Sequence, residues 1–346
     1  MTKRERMLIL ALKKNDMAFL HKAFEELSPQ DKFDANWHLQ ALMWQLERCL
    51  RGDTRRLLVN MPPRSGKSIA ASVVFVALAL GFNPKLRFLC ASYSKELAIV
   101  FANQTRQLMN TWWYRALFPN TRIDRNKNTE TEFRTTAGGG RVTTSMGATL
   151  TGRGADFIIL DDPINAEDVH SPTMRDRAER QGVERALRKT VLLTRLNQKK
   201  TGVVIVVAQR LHEDDLCGRL IEDGGWTELI LPAIATKSRI HWIGEHKHRP
   251  RCAGEVLQPN REPRETLDQE RETLGSARFE AIFQQAPVPA DGNMVKAASL
   301  RYDIDPPRER KFVVQSWDCA SSLEEERSYS VCTTWTVVDN EYHLLD

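Results

Sequence analysis

The stretch NMPPRSGKS at residues 60–68 decides the fold. An apolar run at residues 57–59 precedes it, and a mainly apolar segment with the length of a short helix follows it at residues 68–80. A buried strand that enters a glycine-containing turn and leaves it as a helix is the basic unit of a parallel α/β sheet. In such a unit the free N–H groups at the start of the helix point into the turn, where they can hold phosphate oxygens.

The residues of this turn match most of the phosphate-binding formula, which is Gly, four residues, then Gly-Lys-Ser or Gly-Lys-Thr. Gly66, Lys67 and Ser68 fit the formula, whereas Met61 stands where its first Gly is expected. In this interpretation Lys67 reaches the β- and γ-phosphates of ATP, Ser68 holds Mg²⁺, and Arg64 contacts the γ-phosphate. Taken alone, the motif could also be a chance Gly-Lys-Ser at a strand–helix turn. The predicted nucleotide-binding residues of the loop are Pro63, Arg64, Ser65, Gly66, Lys67 and Ser68.

A second motif supports the first. Residues 157–162 read FIILDD, an apolar strand that ends in two carboxylates. This is the Walker B pattern, in which Asp161 binds Mg²⁺ and Asp162 orients the water that attacks the γ-phosphate. On its own, Asp-Asp-Pro after a strand could simply cap a helix. Because both motifs occur in this order within one α/β pattern, the sequence predicts a site for ATP and Mg²⁺.

Further short apolar runs, separated by amphipathic segments, indicate the rest of the sheet. Strands are predicted at residues 57–61, 86–91, 157–160 and 203–208, and helices at residues 67–80, 95–117, 172–193 and 213–222. Strands that are apolar throughout and alternate with helices predict a parallel sheet covered by helices on both faces. Residues 131–136 and 141–145 flank three glycines, which is typical of a β-hairpin inserted before the third main strand.

Three polar positions near predicted strand ends are further candidates. Gln209 follows the strand at residues 203–208 and is placed to sense the γ-phosphate. Arg153 lies between two glycines and could be an arginine finger on a neighbouring subunit's nucleotide, or a surface arginine in a loop. The acidic run at residues 213–215 is more typical of a helix N-terminus than of a metal site.

Composition limits the class of protein. The chain has 346 residues, which suggests two domains, and its net charge of +5 is compatible with a nucleic-acid partner. No run of eighteen apolar residues predicts a membrane span, and the N-terminal segment lacks the apolar length of a signal peptide. The six cysteines are scattered without a Cys-x-x-Cys pair, which is typical of reduced thiols in a cytosolic protein.

Several segments together resemble the large subunit of the bacteriophage terminase, the motor that packages double-stranded DNA. The matching segments are MPPRSGKS at 61–68, ASYS at 91–94, LTGRGAD at 150–156, IILDDP at 158–163, QRLHEDDL at 209–216, FQQAP at 283–287, SWD at 316–318 and YSVCTTW at 329–335. The resemblance covers roughly residues 36–346. The chain departs from the family where Asp162 replaces a common Glu, Ala208 a common Thr or Ser, and Ser328 an expected acidic residue.

The resemblance implies a packaging ATPase followed by the beginning of a ribonuclease-H-like nuclease domain. It implies Arg64 as an arginine acting in cis and Arg153 as the finger acting in trans. It also implies Gln40 as an adenine contact and Asp318 as a nuclease metal ligand. The partners it implies are double-stranded DNA, a portal protein, a small terminase subunit and other copies in a ring, within the cytoplasm of a bacterial host. We expect no nuclease activity from this chain alone, because one carboxylate cannot build the metal site and the family's other ligands lie beyond Asp346.

The expected domain boundaries divide the chain into four parts. Residues 1–35 are an N-terminal helical segment, 36–235 the P-loop ATPase, 236–310 a lid and linker, and 311–346 an incomplete nuclease domain. Two other functions stay open at this point. One is a P-loop nucleic-acid helicase, which would need a second motor domain, and the other is an inactive prophage remnant that binds DNA or partners.

Two groups of side chains have alternative interpretations. A zinc site, with poor spacing for a closed tetrahedral centre, could consist of His241, His246, His248 and Cys252. A second group puts positive charge on one predicted helix and its end: Arg185, Arg188, Lys189 and Arg195. These side chains could contact a DNA backbone or form a solvated helix face. Residues 237–265 are basic with little periodicity and are expected to be a loop that faces DNA or solvent. The aromatic run at residues 112–114 is expected to lie in the core.

Overall fold

The computed structural model describes residues 1–146, 154–164, 195–288, 312–318, 331–338 and 341–344. The chain divides into two units, Met1–Asp291 and Gly292–Asp346. The predicted boundaries at residues 35, 235 and 310 stay predictions. Outside the described residues lie the expectations for Arg153 and for the helix at residues 172–193, which includes Arg185, Arg188 and Lys189.

A sheet of eight strands forms the centre of the first unit. The strands are β1 (Arg56–Asn60), β2 (Arg87–Ser92), β3 (Ile123–Asn128), β4 (Glu132–Thr135), β5 (Gly140–Ser145), β6 (Phe157–Asp161), β7 (Val203–Ala208) and β8 (Thr227–Ile230). Their order is β3-β4-β5-β2-β6-β7-β1-β8, and the six strands from β5 onward run parallel. Every residue of β6 and β7 is buried, as expected for strands covered on both faces.

Helices cover both faces of this sheet. The helices of the described residues are α1 (Lys3–Lys14), α2 (Asp16–Leu27), α3 (Trp37–Arg51), α4 (Phe75–Phe82), α5 (Lys95–Asn110), α6 (Trp112–Leu117), α7 (Leu216–Asp223), α8 (Arg264–Leu274) and α9 (Ser276–Ile282). Of these, α8 and α9 pack in a separate apolar cluster. Leu57 and Val59 of β1 belong to the apolar cluster that α1 to α6 complete, whereas Leu58 belongs to a separate cluster with α7. This arrangement confirms the predicted α/β fold. None of the helices in the described part of the chain is both long enough and apolar enough to cross a bilayer.

The predicted helix at residues 67–80 differs from the observed structure. A π-helical segment, Ile69–Val74, comes first and leads directly into α4. The N–H of Phe75 donates to the carbonyl of Ala70, five residues earlier, which is the hydrogen bond of a widened turn. Residues 70–74 are all buried. The apolar composition at residues 68–80 indicated a helix but contained no signal for this wider form.

Two other predicted helices have different limits because of capping side chains. The helix expected at residues 95–117 is broken where the Thr111 hydroxyl accepts a hydrogen bond from the N–H of Tyr114, at 3.3 Å, and starts α6. Trp113 and Tyr114 are fully buried around Phe19, as expected, but Trp112 is 51% exposed, so the core assignment was wrong for that residue. The helix expected at residues 213–222 begins only at Leu216.

The predicted hairpin is confirmed, with one addition. Strands β4 and β5 pair antiparallel, as the flanking glycines indicated. Strand β5 also pairs in parallel with β2, so it belongs to the main sheet instead of standing apart from it. As a result Arg141, in β5, is 1% exposed and lies inside the domain.

The basic region at residues 237–265 is not the simple loop that its composition suggested. It contains an antiparallel hairpin of β9 (Arg239–Gly244) and β10 (Lys247–Arg251). One face of β9 packs against α3, where the ring of His241 lies 5.2 Å from that of Trp37. The guanidinium groups of Arg249 and Arg251 lie over the same indole. The basic residues and Pro250 of β10 hid the pattern that normally predicts a strand.

The second unit contains a small antiparallel sheet. Its strands are β11 (Phe312–Asp318), β12 (Val331–Val338) and β13 (Glu341–Leu344), in that order. The ribonuclease-H-like assignment of this unit stays a prediction.

Candidate nucleotide-binding site

The turn between β1 and the π-helical segment has a backbone that only certain residues adopt easily. Gly66 has a φ of +81°, and a Cβ at this position would lie 3.3 Å from Cδ2 of Leu39. Arg64 has a φ of +54°, which is uncommon for a residue with a side chain. The Gly66 carbonyl accepts the N–H of Ala70 at 3.0 Å, so the turn passes directly into the helix. The turn therefore has a tight backbone, with left-handed residues at positions 64 and 66.

The missing first Gly of the formula has a structural explanation. Met61 is fully buried, and its N–H donates to the carbonyl of Ala208 in β7 at 3.3 Å. It is not among the described residues with a positive φ. Met61 therefore extends the strand pairing and fills the core, in a conformation that does not require glycine.

The Asp161 carboxylate at the end of β6 lies against the start of this helix. Its Oδ1 accepts the hydroxyl hydrogen of Ser68 at 2.8 Å, and its Oδ2 accepts that of Ser72 at 2.5 Å. Burial, and then the charge of Asp162, raises the pKa of Asp161 to about 6, although the two hydroxyls and Lys67 lower it. The carboxylate and the Ser68 hydroxyl are thus brought together, as the two motifs predicted.

Asp162 has a different environment from Asp161. Its side chain is 25% exposed, and its Oδ2 lies 3.9 Å from Nζ of Lys67. Its Oδ1 accepts the N–H of Gln209 at 3.2 Å, and its own N–H donates to the carbonyl of Val207 at 2.8 Å. Its φ of +42° is unusual for a residue other than glycine, and such backbone strain is common at functional sites. The carboxylate is therefore partly exposed and lies beside the lysine.

Gln209 and Gln40 occupy different places. The backbone of Gln209 contacts Asp162, and its buried Oε1 has no hydrogen-bond partner among the described residues. Gln40, on α3, lines a cavity of about 720 Å³ together with Asp16 and Trp44. Residues 61–68 do not line that cavity. The structure thus places Gln209 beside the two motifs and Gln40 beside a separate cavity.

The remaining predicted residues are more scattered. Arg64 is exposed at the turn, and Arg153 lies outside the described residues. Asp318 ends β11 in the second unit. Within the described residues, His212, Glu213 and Asp214 are the only three His, Cys, Asp or Glu side chains whose ligand atoms lie close together, so the zinc set at residues 241–252 does not assemble.

Asp215, the last residue of the acidic run at residues 213–215, caps a helix, as predicted for the run. The Asp215 carboxylate accepts the N–H of Gly218 at 2.8 Å at the start of α7. It also accepts the Nε–H of Arg210 and the N–H of Leu211, both within 2.9 Å. Asp215 therefore fixes the loop that follows Gln209.

Sequence reasoning missed three residues that support the site. His38, on α3, is 1% exposed, and its Nε2 lies 2.9 Å from the carbonyl oxygen of Ser65 in the turn. Ser72 contacts Asp161, and Arg141 contacts Ser72 from the other side. Only Ser72 had a usable signal, because it lies four residues after Ser68, on the same side of a helix.

The residues present fit a nucleotide bound with Mg²⁺. Two carboxylates and the Ser68 hydroxyl supply the oxygen ligands that Mg²⁺ prefers. Lys67 is 5% exposed and carries a positive charge at the turn, while the N–H groups of the helix start face the same place. The buried Oγ of Ser65 and Oε1 of Gln209 have no hydrogen-bond partner among the described residues.

The contact of His38 with the turn predicts a pH dependence of stability. Because Nε2 faces a carbonyl, it must carry the proton, and burial lowers the pKa of His38 below its ordinary value. The unfolded chain therefore binds the second proton first, and stability is lost as the pH falls below about 6.5, by at most about 1.4 kcal/mol per pH unit.

Urea unfolding at pH 7.5, 6.5 and 5.5 measures this effect. We expect the wild type to lose more stability than His38→Gln over this range, because Gln can donate to Ser65 without titrating. The exposed His246 supplies the control, and His246→Gln should follow the wild type. Equal slopes for the wild type and His38→Gln would contradict the assignment.

Comparison with solved structures found chains that are similar to this one. The ATPase domain of the large terminase of Thermus phage P74-26 aligns with a TM-score of 0.47 and 14% identity, over 77% of this chain and 97% of that one. The large terminase of another thermophilic bacteriophage, in complex with ADP, aligns with a TM-score of 0.41 and 9% identity, over 87% and 68% of the two chains. The same terminase in complex with ATP-gamma-S gives 0.43 and 11%, over 90% and 67%. No family model matches the sequence, and no curated protein does.

Proposed function

We propose that this chain is an ATP-hydrolysing motor subunit of the large-terminase type, which drives double-stranded viral DNA into a procapsid. The observation that supports ATP hydrolysis is the meeting of two motifs at one edge of the sheet. Ser68 is 2.8 Å from Asp161, and Lys67 is 3.9 Å from Asp162, although the pairs are 93 and 95 residues apart in sequence. The assignment to DNA packaging rests on the sequence segments that resemble the terminase.

In the proposed reaction a water oxygen bonds to the γ-phosphorus of ATP while the bond to the bridging oxygen breaks, leaving ADP, phosphate and a proton. Mg²⁺, held by Ser68 and Asp161, would neutralise charge on the phosphate oxygens. Lys67 holds the β- and γ-phosphates. Asp162, which is partly exposed beside Lys67, orients the attacking water.

Other residues take supporting roles in this proposal. Pro63, Ser65 and Gly66 present the loop backbone to the phosphates, and Gln209 senses the γ-phosphate. Charge that develops on the γ-phosphate is stabilised by Arg64 in cis and by Arg153 from a neighbouring copy in a ring. Gln40 is proposed as an adenine contact from the sequence resemblance alone, since residues 61–68 do not line the cavity beside it. We propose a portal protein and a small terminase subunit as further partners, and the host cytoplasm as the location.

The β9–β10 hairpin supports a contact with DNA. Its exposed basic residues include Arg239, Lys247 and His248. The hairpin has one acidic residue, Glu245, which is exposed in the turn. Exposed cations on a surface hairpin suit the phosphates of a duplex. Asp318 stays a proposed metal ligand, but one carboxylate does not make a nuclease site, so nuclease activity is not part of the proposed function.

Phosphate release in the presence and absence of linear double-stranded DNA tests the proposal. We expect ATP hydrolysis that double-stranded DNA stimulates several-fold and that EDTA abolishes. A tailed duplex should stay intact during hydrolysis, because a packaging motor moves a duplex without separating its strands. Separation of the strands would indicate a helicase. Absence of hydrolysis under all conditions would indicate an inactive remnant.

A further inference from the structure

Two serines, four residues apart, hold the two oxygens of Asp161. The Ser68 hydroxyl donates to Oδ1 at 2.8 Å, and the Ser72 hydroxyl donates to Oδ2 at 2.5 Å. Asp161 is 3% exposed, so these hydrogen bonds replace contacts with water. Ser68 belongs to the phosphate-binding formula, but Ser72 does not.

Ser72 is held in place by an unusual piece of backbone. It lies in the π-helical segment Ile69–Val74, in which the N–H of Phe75 bonds to a carbonyl five residues earlier instead of four. The Ser72 carbonyl accepts a hydrogen bond from Nη1 of Arg141. Ser72 is 1% exposed, so water does not compete for either of its groups. The hydroxyl therefore faces Asp161 while the carbonyl is fixed from β5.

Arg141 is itself buried and oriented. It is 1% exposed and donates from Nη1 to the Thr105 hydroxyl at 2.9 Å and from Nε to the Thr143 hydroxyl at 3.1 Å. None of these acceptors is charged, and no carboxylate of the described residues forms an ion pair with it. A buried guanidinium without an ion pair is costly. Arg141 is linked through Ser72 to the buried carboxylate of Asp161, whose opposite charge partly offsets this cost.

We propose that Ser72 is a positioning residue for Asp161 and that Arg141 fixes Ser72 through its carbonyl. This inference rests on the proposed function, because it gives Asp161 the role of a Mg²⁺ ligand. When the Ser68 oxygen binds the metal, the Ser68 hydroxyl can no longer donate to Asp161 with the same geometry. Ser72 then keeps the carboxylate in the orientation that binds Mg²⁺.

Ser92 provides a matched control. It is paired in register with Asp161 across the neighbouring strand and is 1% exposed. Its Oγ has no hydrogen-bond partner among the described residues. Ser72→Ala and Ser92→Ala therefore remove the same atom from two buried serines on either side of Asp161, and only the first removes a contact with the carboxylate.

The experiment titrates Mg²⁺ against binding of a fluorescent ADP analogue. We expect Ser72→Ala to raise the Mg²⁺ concentration at half effect about 10-fold, as loss of an outer contact to a metal ligand does. ADP binding in EDTA should match the wild type. Ser92→Ala should match it under both conditions. Ser72→Thr, which keeps the hydroxyl, should restore most of the Mg²⁺ response.

Each outcome has a distinct meaning. The positioning role is wrong if Ser72→Ala and Ser92→Ala show the same Mg²⁺ response as the wild type. It is also wrong if Ser72→Ala weakens ADP binding equally with and without Mg²⁺, because a general loss of structure would do that. A wild-type chain that binds the analogue without any Mg²⁺ dependence would instead overturn the proposed function. Arg141→Lys, which loses the forked contacts, should shift the Mg²⁺ response in the same direction as Ser72→Ala.

Discussion

Lys67→Ala should lower the rate of ATP hydrolysis about 100- to 1000-fold, the usual effect of removing a group that stabilises the transition state. Lys67 is 5% exposed and lies 3.4 Å from the carbonyl of Pro62, so its charge acts in a site from which water is largely excluded. Alanine keeps the helix but leaves the phosphate charge without its cation. Phosphate release at saturating ATP, with double-stranded DNA present, measures the effect.

A control is needed because Lys67 is buried. Lys95→Ala removes an exposed lysine from the first turn of α5, near the same edge of the sheet, and should hydrolyse ATP like the wild type. Melting in the absence of nucleotide shows whether Lys67→Ala is folded. If the folded variant releases phosphate as fast as the wild type, the motor function is refuted.

Asp162→Asn should lower hydrolysis about 100- to 10,000-fold, the usual contribution of a group that acts on the attacking water. Asparagine keeps the size of the side chain and an oxygen that accepts the N–H of Gln209. It also tolerates the positive φ of this position, because Asn and Asp both adopt the left-handed region more readily than other residues. The fold and the binding of ATP should therefore be retained within a few-fold.

Binding of a fluorescent ATP analogue and single-turnover hydrolysis, measured on the same preparation, separate the two effects. Asp53→Asn, at the exposed turn after α3, is the control and should leave both unchanged. A variant at position 162 that binds ATP weakly would indicate a role in binding. One that hydrolyses ATP at the wild-type rate would show that another group orients the water.

The sequence supported the fold and part of the site for a physical reason. Strands that are apolar throughout, such as β6 and β7, can only lie inside a covered sheet. The carboxyl ends of parallel strands lie at one edge, so Ser68 and Asp161 could be expected to meet. The strand order was not predictable, because periodicity says which strands are buried but not which are neighbours.

Other features depend on contacts that no local pattern records. His38 supports the turn only because α3 packs on it, and Arg141 is buried only because β5 joins β2. The β9–β10 hairpin lies in a basic stretch of sequence and contacts Trp37 of α3. Each of these depends on tertiary packing, which overrides local propensity.

The position of β7 between β1 and β6 determines how the two motifs can move. β1 and β6, which flank β7, are about 10 Å apart, since neighbouring strands are separated by about 4.8 Å. The carbonyl of Ala208 accepts the N–H of Met61 and the side-chain amide of Asn60, while Val207 and Gln209 bond to Asp162. The end of β7 is thus attached to both the turn that follows β1 and the backbone and carboxylate of Asp162. Because β7 lies between these two groups and bonds to both, a change in the distance between them would require β7 to bend or shift.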